Sequence, residues 1–462
     1  MSPALAPTPP GSSDESASSS TGQIAGRTAR QIAVSAEASI RDGSLAPGDP
    51  LPTVRSLASR LATSPATVSS AYRILRQRGL VVADGRRGTR VAPRPALRLA
   101  RPGAVAPLDT ATIDLSHGLS DPVLLPPLAP VLARIDAAAL LAPTAQQAVD
   151  PRLRDLASRS FAADGVDSRA VTVVGGALDG IERVLESHLL PGDKVAIEDP
   201  AYPPLRDILL ALGLAPVPVA VDDRGPIPAA LAASLSKGIT AVLIVPRAQN
   251  PFGSALDPER AADLSRALAG QPELMIVEDD YAAVVAGAPY VSVIPRDWPR
   301  WAVIRSVSKV LHPDLRLALL AGDETTVARV EGRQALGTRW VSRLLQMLAA
   351  EMLGDPAFEA TAARASDTYA HRRRAMIAAL GERGIAAHGR SGLNVWVSVR
   401  EESPVVSALL GAGWLVAAGE RFRIATSPGI RITTSTLAES EADDVARIIA
   451  AVEHGSATRS GY

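Results

Sequence analysis

The sequence predicts an α/β protein of two folded modules: a small basic helical one, then a large one built on a mostly parallel sheet. Three observations predict it. A Pro-rich stretch at residues 93–112, "APRPALRLARPGAVAPLDTA", sets off a compact segment of about seventy residues from the rest of the chain. Within that segment, residues 27–93 carry eleven arginines against Glu37, Asp42, Asp49 and Asp84, a net +7 in a chain whose total charge is zero, so the remainder sums to −7. Such an asymmetry points to a polyanion-binding module beside a neutral or acidic one. Beyond the linker, the apolar runs "AVTVVGG", "DKVAIED", "TAVLIVP", "LMIVEDD" and "WAVIRS" alternate with Ala/Leu-rich helical stretches. Short buried strands spaced by helices are the pattern of a parallel sheet covered on both faces.

The 462 residues are enough for two or three domains with sizeable cores. With no cysteine in the chain, disulfides and thiolate metal sites are excluded, which fits a reducing compartment and makes the cytoplasm the expected location. No apolar run approaches membrane-spanning length, and the N-terminus lacks the basic and apolar regions of a signal peptide. Residues 1–23, rich in Ser, Pro and Ala, cannot bury enough surface to offset ordering and are expected to form a disordered tail.

In the first module, residues 24–92, a helix over 27–42 ends at Asp42-Gly43, and "LPTVRSLASRLA" starts a second near Thr53. The third opens at "TSPATVSSAYRILRQRG", where Ser64 can cap the free amides and Pro65 suits the first turn because it has no amide to leave unpaired. Val68, Ala71, Tyr72 and Leu75 recur at helical spacing and should face the core, leaving Ser64, Thr67 and Arg73 toward the open side. "GLVVADGRRGTRV" then reads as a hairpin with Asp84-Gly85 at its turn and Arg86, Arg87 and Arg90 at its tip. Together these make a winged helix-turn-helix.

The stretch from "GSLAPGDPLPTVRSLASRLATSPATVSSAYRILRQRG" to "GTRV" closely resembles the GntR-type winged helix. That resemblance implies that Arg55, Ser64, Thr67, Gly85, Arg86 and Arg87 meet double-stranded operator DNA, with phosphate contacts setting register and recognition-helix side chains reaching base edges. Some relatives place base-reading arginines where this chain has Pro65 and Ser69. Direct readout is then lean, and the wing and DNA shape carry more of the recognition.

In the second module, "SVSKVLHPDLR" sets a lysine, rare in this chain, between small hydroxyl residues with an arginine seven positions on. "VGGALDGIERVL" joins a strand to a helix, so the amides of Ala177 and Leu178 could face an anion. "IEDPAYPP" supplies Tyr202, "VPRAQNPFG" places Asn250 in a turn, and "IVEDDYAAV" puts Asp279 and Tyr281 at a strand end, where open α/β sheets bind ligands. Glu278 and Asp280 beside them read as solvated strand-end charges, and Arg372, Arg373 and Arg374 as a solvated helix face. From about residue 370, a helix followed by "LNVWVSV", "GWLVAAG" and "GIRITTS" suggests a smaller α+β lobe.

In order, these motifs resemble the fold-type I, class I aminotransferase domain in its version fused to a GntR-type winged helix, the MocR family of transcriptional regulators. The resemblance spans about residues 24–455, with the aminotransferase-like domain at 113–455. It implies pyridoxal 5'-phosphate (PLP) as cofactor and Lys309 as the Schiff-base lysine. Asp279 would hold the pyridine nitrogen protonated, Tyr202 would stack on the ring, and Asn250 and Tyr281 would donate to its phenolic oxygen. Ser306, Ser308 and Arg316, with the amides near Ala177 and Leu178, would take the phosphate. Arg431 in "SPGIRITTS" matches the arginine that clamps an amino acid's carboxylate, and Asn394 would line the same pocket. Phe252 departs from the threonine of the usual "NPTG", a change of packing beside Asn250.

The resemblance also implies a head-to-tail homodimer and a small amine or amino acid effector. A PLP-responsive transcriptional regulator is the leading expectation. The alternative is a PLP-dependent aminotransferase with a winged-helix appendage, since the residues for transamination are all present. A ligand-free, degenerate domain is disfavoured by the retention of Lys309, Asp279, Asn250, Tyr281 and Arg316.

Overall fold

The computed structural model describes residues 24–41, 44–46, 48–77, 80–83, 88–91, 112–141 and 147–457. The expected tail at 1–23, the wing-tip residues Gly85, Arg86 and Arg87, and the linker residues 93–111 lie outside this set. The chain divides into two compact units, Met1–Arg98 and Leu99–Tyr462, with the division inside the Pro-rich stretch.

The first unit has helices Ala29–Arg41, Val54–Arg60 and Pro65–Gln77, followed by strands Val81–Ala83 and Thr89–Val91, which pair antiparallel. The helix starts follow from their caps. Thr53 Oγ1 accepts from the Ser56 amide at 3.1 Å, and Ser64 Oγ accepts from the Thr67 amide at 3.1 Å with Pro65 next in line. Each satisfies an amide that has no partner within its helix. Ile32, Ala36, Leu57, Val68, Ala71, Tyr72, Leu75, Val81 and Val91 form a single core. Tyr72 is the largest of these, and its hydroxyl donates to Pro52 O at 2.7 Å.

The second unit is built on an eight-stranded sheet in the order Val171–Val174, Ala318–Gly322, Trp301–Ser306, Met275–Asp280, Ala241–Ile244, Lys194–Asp199, Ala215–Asp222, Gly225–Pro226. Pairing is parallel from Trp301–Ser306 through Ala215–Asp222. Ala318–Gly322 runs against both of its neighbours, and Gly225–Pro226 turns back on the far edge. Side chains alternate between two cores: Ala196, Val242, Ile276, Val303 and Leu319 on one face, Val195, Leu243, Val277, Ile304 and Leu320 on the other. Burial on both faces at a period of two is why these strands read as unbroken apolar runs.

A smaller antiparallel sheet, in the order Ala387–His388, Asn394–Ser398, Gly429–Thr433, Ala417–Ala418, packs with helices Phe358–Gly381, Glu402–Gly411 and Ala442–Ala457 around Val395, Val397, Ile430, Ile432, Leu409 and Ile449. The helix expected from about residue 370 begins at Phe358. The segment that follows the linker also joins this lobe: Ile113–Asp114 pairs in parallel with Trp414–Leu415, and Leu115 is fully buried in the lobe's core.

Because the two units have separate cores, a core deletion in one should spare the other. Leu57→Ala is expected to cost the first unit about 2–5 kcal/mol. Operator binding should fall with it in electrophoretic mobility assays, while the second unit's thermal transition in calorimetry keeps its midpoint.

Candidate functional site

Where the parallel strands of the large sheet end, the structure encloses a cavity of about 520 Å³. Its wall includes Ala177, Leu178, Tyr202, Asn250, Asp279, Tyr281, Ser306, Ser308, Lys309, Arg316 and Arg431, which come from segments as far apart in sequence as the first and last of these. Asp279 ends up here because its strand is buried along its whole length and stands in register with the strand that leads to the lysine, Asp279 opposite Ile304.

Of the chain's three lysines, Lys194 and Lys237 are exposed, and Lys309 is half-buried against this cavity. Its Nζ donates to Gly118 O. Burial, reinforced by the positive charges of Arg431 and Arg316, lowers its pKa from 10.5 to about 8. Asp279 Oδ1 is buried without a hydrogen-bond partner, and desolvation together with the neighbouring Asp280 charge raises its pKa to about 7. Arg431, in the middle of strand Gly429–Thr433, is fully withdrawn from water, and burial brings its pKa down to about 10. Its Nη1 donates to Asn250 Oδ1 at 3.0 Å, its Nη2 donates to Ser116 O, and its guanidinium lies 4.9 Å from the Phe422 ring centroid.

At the other end of the cavity, helix Ala177–His188 opens on Gly176 at φ 113°. A Cβ on Gly176 would stand 3.6 Å from Arg316 Nη2, an ordinary contact distance, so it is the positive φ and not lack of space that calls for glycine at this helix N-terminus. Arg316 itself adopts a left-handed backbone, φ 44°. Ser306 Oγ accepts from the Ser308 amide at 3.2 Å.

Several expected roles are modified by the structure. Tyr281 OH donates to Ala248 O at 2.6 Å, which turns it from the ring-oxygen role expected of it, whereas Asn250 is engaged by Arg431 through its acceptor Oδ1 and not through its Nδ2 donor. Asn394 does not line the cavity: it is buried behind it, its Oδ1 accepting from Thr433 Oγ1 at 2.9 Å. Tyr202 is on the wall, 37% exposed. Phe252 stacks on His388 with ring centroids 4.2 Å apart.

The strand-end acids are not solvated. Glu278 and Asp280 are both fully buried. Glu278 accepts from Tyr290 OH, Ser292 Oγ and the Val293 amide, and burial raises its pKa to about 7. Asp280 takes Arg247 at 2.7 and 2.8 Å and Arg305 at 2.7 Å, and those two cations outweigh burial and keep it ionised. The arginine run on the long helix is not a solvated face either. Arg373 is buried and donates to the carbonyls of Gly389, Gly392 and Arg390, and Arg372 pairs with Asp121 at 2.8 Å; Arg374 alone is exposed.

Sequence reasoning missed a segment that the structure brings to the wall, Ser116-His117-Gly118, and the loop carrying Arg421 and Phe422. That loop is tied to the large sheet by Asp199, whose carboxylate accepts from the Ile424, Ala425 and Thr426 amides at 2.7, 2.7 and 2.9 Å.

In the first unit, Arg55 is exposed on its short helix. Ser64 Oγ and Thr67 Oγ1 lie 2.8 Å apart and hydrogen-bond one another, and Thr67 lines a groove with Arg27, Thr28, Ala66 and Ser70. Arg27 was not singled out from the sequence. Arg90, expected at the wing tip, stands in the second wing strand with Nη1 donating to Gly48 O at 2.9 Å.

A basic winged helix followed by an α/β module whose strand ends gather a half-buried amine, an unpaired acid and an arginine at a helix start defines a fused regulator of the aminotransferase-like type. Residues 28–91 match the family of bacterial regulatory proteins, gntR family, and residues 134–449 match aminotransferase class I and II. The chain is 39% identical over 427 residues to the vitamin B6 salvage pathway transcriptional repressor PtsJ of Salmonella typhimurium, covering 92% of this chain and 98% of that one. It is 29% identical to the pyridoxine biosynthesis transcriptional regulator PdxR of Corynebacterium glutamicum over 74% of this chain and 76% of the relative. The second unit's fold matches that of Pyrococcus horikoshii kynurenine aminotransferase, solved with PMP, with TM-score 0.67, 19% identity and coverage of 75% of this chain and 92% of that one. The chain belongs to the MocR-type regulators, and it is a DNA-binding transcriptional regulator. Among the described residues no helix is long and apolar enough to cross a membrane.

Two outcomes are expected from this geometry. An amine is nucleophilic only when neutral, so borohydride-trapped reaction of Lys309 with an aldehyde should rise as pH increases toward about 8 and level off above it, as mass spectrometry of the modified peptide would read. Asp280→Asn should destabilise the second unit by about 3–5 kcal/mol in denaturant titration, because it leaves Arg247 and Arg305 buried beside a neutral amide.

Proposed function

We propose that this regulator binds PLP at the strand-end cavity and reads its presence, alone or with an amine or amino acid, as a change in operator binding. The observation that carries the reading is the buried, unpartnered Asp279 Oδ1 on the same wall as the depressed Lys309 amine. A protonated pyridine nitrogen is the donor that such a carboxylate lacks. When bound, PLP supplies an aldehyde that condenses with a primary amine.

The chain's residues divide the work of holding it. Lys309 binds covalently through Nζ, and Asp279 keeps a proton on the ring nitrogen. Tyr202 lies against the ring, and the Ala177 and Leu178 amides, Arg316, Ser306 and Ser308 take the phosphate, for which a guanidinium fork suits a dianion. Asn250 would serve the ring's phenolic oxygen through Nδ2 with its Oδ1 still on Arg431, and Tyr281 would serve it once released from Ala248. Arg431 takes the carboxylate of an amino acid effector. Arg55, Ser64 and Thr67, with Gly85, Arg86 and Arg87 in the wing, contact DNA, and 24–92, 93–112 and 113–455 act as reader, linker and sensor. A cytoplasmic head-to-tail homodimer would present two readers to two half-sites. The likeness to PtsJ favours genes of vitamin B6 metabolism as targets.

A ligand shifts DNA binding only through its different affinity for the two states, and a coupling of about 1–3 kcal/mol corresponds to roughly 5- to 150-fold. Operator titrations at fixed salt, with and without PLP, should therefore differ by several-fold. Lys309→Ala should abolish the difference, and Arg55→Ala should weaken DNA binding while leaving the protein-bound cofactor absorbance intact. Asp279→Ala should weaken PLP binding by roughly 10- to 100-fold, the loss of one charge-assisted hydrogen bond. An unchanged operator affinity at saturating PLP would refute the reading.

A further inference from the structure

Two cations of the cavity, the half-buried Lys309 and the buried Arg431, are held by one strap. Lys309 Nζ donates to Gly118 O, and Arg431 Nη2 donates to Ser116 O. On either side the strap is fastened. Leu115 N donates to Leu415 O at 2.8 Å and Leu115 O accepts from the Thr433 amide at 2.9 Å, while Leu119 O accepts from Ser435 Oγ at 2.6 Å and Ser120 Oγ donates to Lys309 O at 2.9 Å. The turn itself is shaped by a single carboxylate. Asp114 Oδ1 accepts from the Ser116 amide and from Ser116 Oγ, both at 2.7 Å, and Asp114 Oδ2 lies 2.5 Å from His117 Nδ1, which carries the proton toward it. Asp114 does not line the cavity; it acts through the turn that does.

This strap is also the first part of the second unit after the Pro-rich linker, its described residues starting at Thr112. A ligand aldehyde on Lys309 and a ligand carboxylate on Arg431 would each take the cation away from its carbonyl. Both exchanges act on the same three residues, and those residues are joined through Asp114 and Ile113 to the chain that leads to the DNA reader.

We propose that Asp114 is a positioning residue: it sets the Ser116–Gly118 turn so that ligand capture of Lys309 and Arg431 is felt as a displacement of the strap and passes along the chain to the linker. This rests on the reading that PLP is taken by Lys309 and an amino acid by Arg431. The strap competes with ligand for both cations, so weakening the staple eases binding and, in the same change, uncouples it.

The test uses the full chain, with PLP alone and with PLP plus L-alanine as probes, and compares wild type with Asp114→Ala and with Asp114→Asn, which keeps an acceptor for the Ser116 amide. Cofactor absorbance gives PLP affinity, operator titration with and without ligand gives the coupling ratio, and hydrogen exchange by mass spectrometry follows the peptide over 112–121. In the wild type, ligand should speed exchange in that peptide. Asp114→Ala should bind PLP as well as the wild type or up to several-fold more tightly, yet bring the coupling ratio below 2-fold, with Asp114→Asn recovering part of it. A wild-type coupling ratio in Asp114→Ala, or exchange at 112–121 indifferent to ligand in a responsive wild type, overturns the relay and leaves PLP sensing standing. PLP affinity lowered more than 10-fold in both variants overturns it too, by placing Asp114 in the binding machinery. If Asp114→Ala does not fold, Asp114→Ser, which removes the carboxylate but keeps a small polar side chain, is read by the same three measurements and the same criteria. A wild type that binds PLP with no change in operator affinity strikes the underlying reading instead.

Discussion

Among the described residues, Lys309, Arg431 and Asp279 are drawn out of water around one cavity with no ion pair to any of them, and what they have instead is two backbone carbonyls, one amide oxygen and an aromatic face. Withdrawing an ion from water costs several kcal/mol even after relaxation. The depressed lysine and arginine and the elevated aspartate show where that cost is stored. A ligand set with an electrophilic carbon, a carboxylate and a basic ring nitrogen would meet each of these three demands at its own place. Specificity here is a matter of unmet needs with fixed positions.

Those positions depend on charges that are fully met. One strand carries three acids in a row: Glu278 is hydrogen-bonded by Tyr290, Ser292 and Val293, Asp280 is bracketed by Arg247 and Arg305, and Asp279 between them has nothing. Alternation along the strand sends 278 and 280 to one face and 279 to the other. The satisfied neighbours fix the strand end, and burial together with the Asp280 charge keeps the middle carboxyl easy to protonate. Beside the start of helix Ala177–His188, Gly176 and Arg316 take positive φ angles that set the local backbone.

How much of this was legible in the sequence followed the range of the interaction. Ser64 and Thr53 were readable as caps because cap and amide are three residues apart. The strands were readable because burial on both faces leaves an apolar run, and the order of Lys309, Asp279, Asn250, Tyr281 and Arg431 carried the site. Glu278, Asp280 and Arg373 were misread as solvated because the groups that satisfy them come from other strands and loops, and a charge in sequence carries no mark of its partner. The turned-away Tyr281 belongs to the same class. The strap was invisible for a sharper reason: its contacts to Lys309 and Arg431 span 191 and 315 residues and use main-chain oxygens, which every residue type has.

Main-chain contacts also differ from side-chain contacts in how they evolve. A contact made by a side chain is erased by one codon change, whereas a carbonyl at position 116 or 118 survives any substitution that leaves the backbone path alone. A Cβ at Gly118 would meet Arg431 Nη1 at 3.6 Å, an ordinary distance, so even that glycine is not required for the contact itself. The grip on the two cations is thus buffered against drift in the residues that make it, and its heritable control sits upstream, in the carboxylate that bends the turn. Selection on regulatory sensitivity in such a chain has a lever at 114 that leaves the ligand-contacting residues untouched.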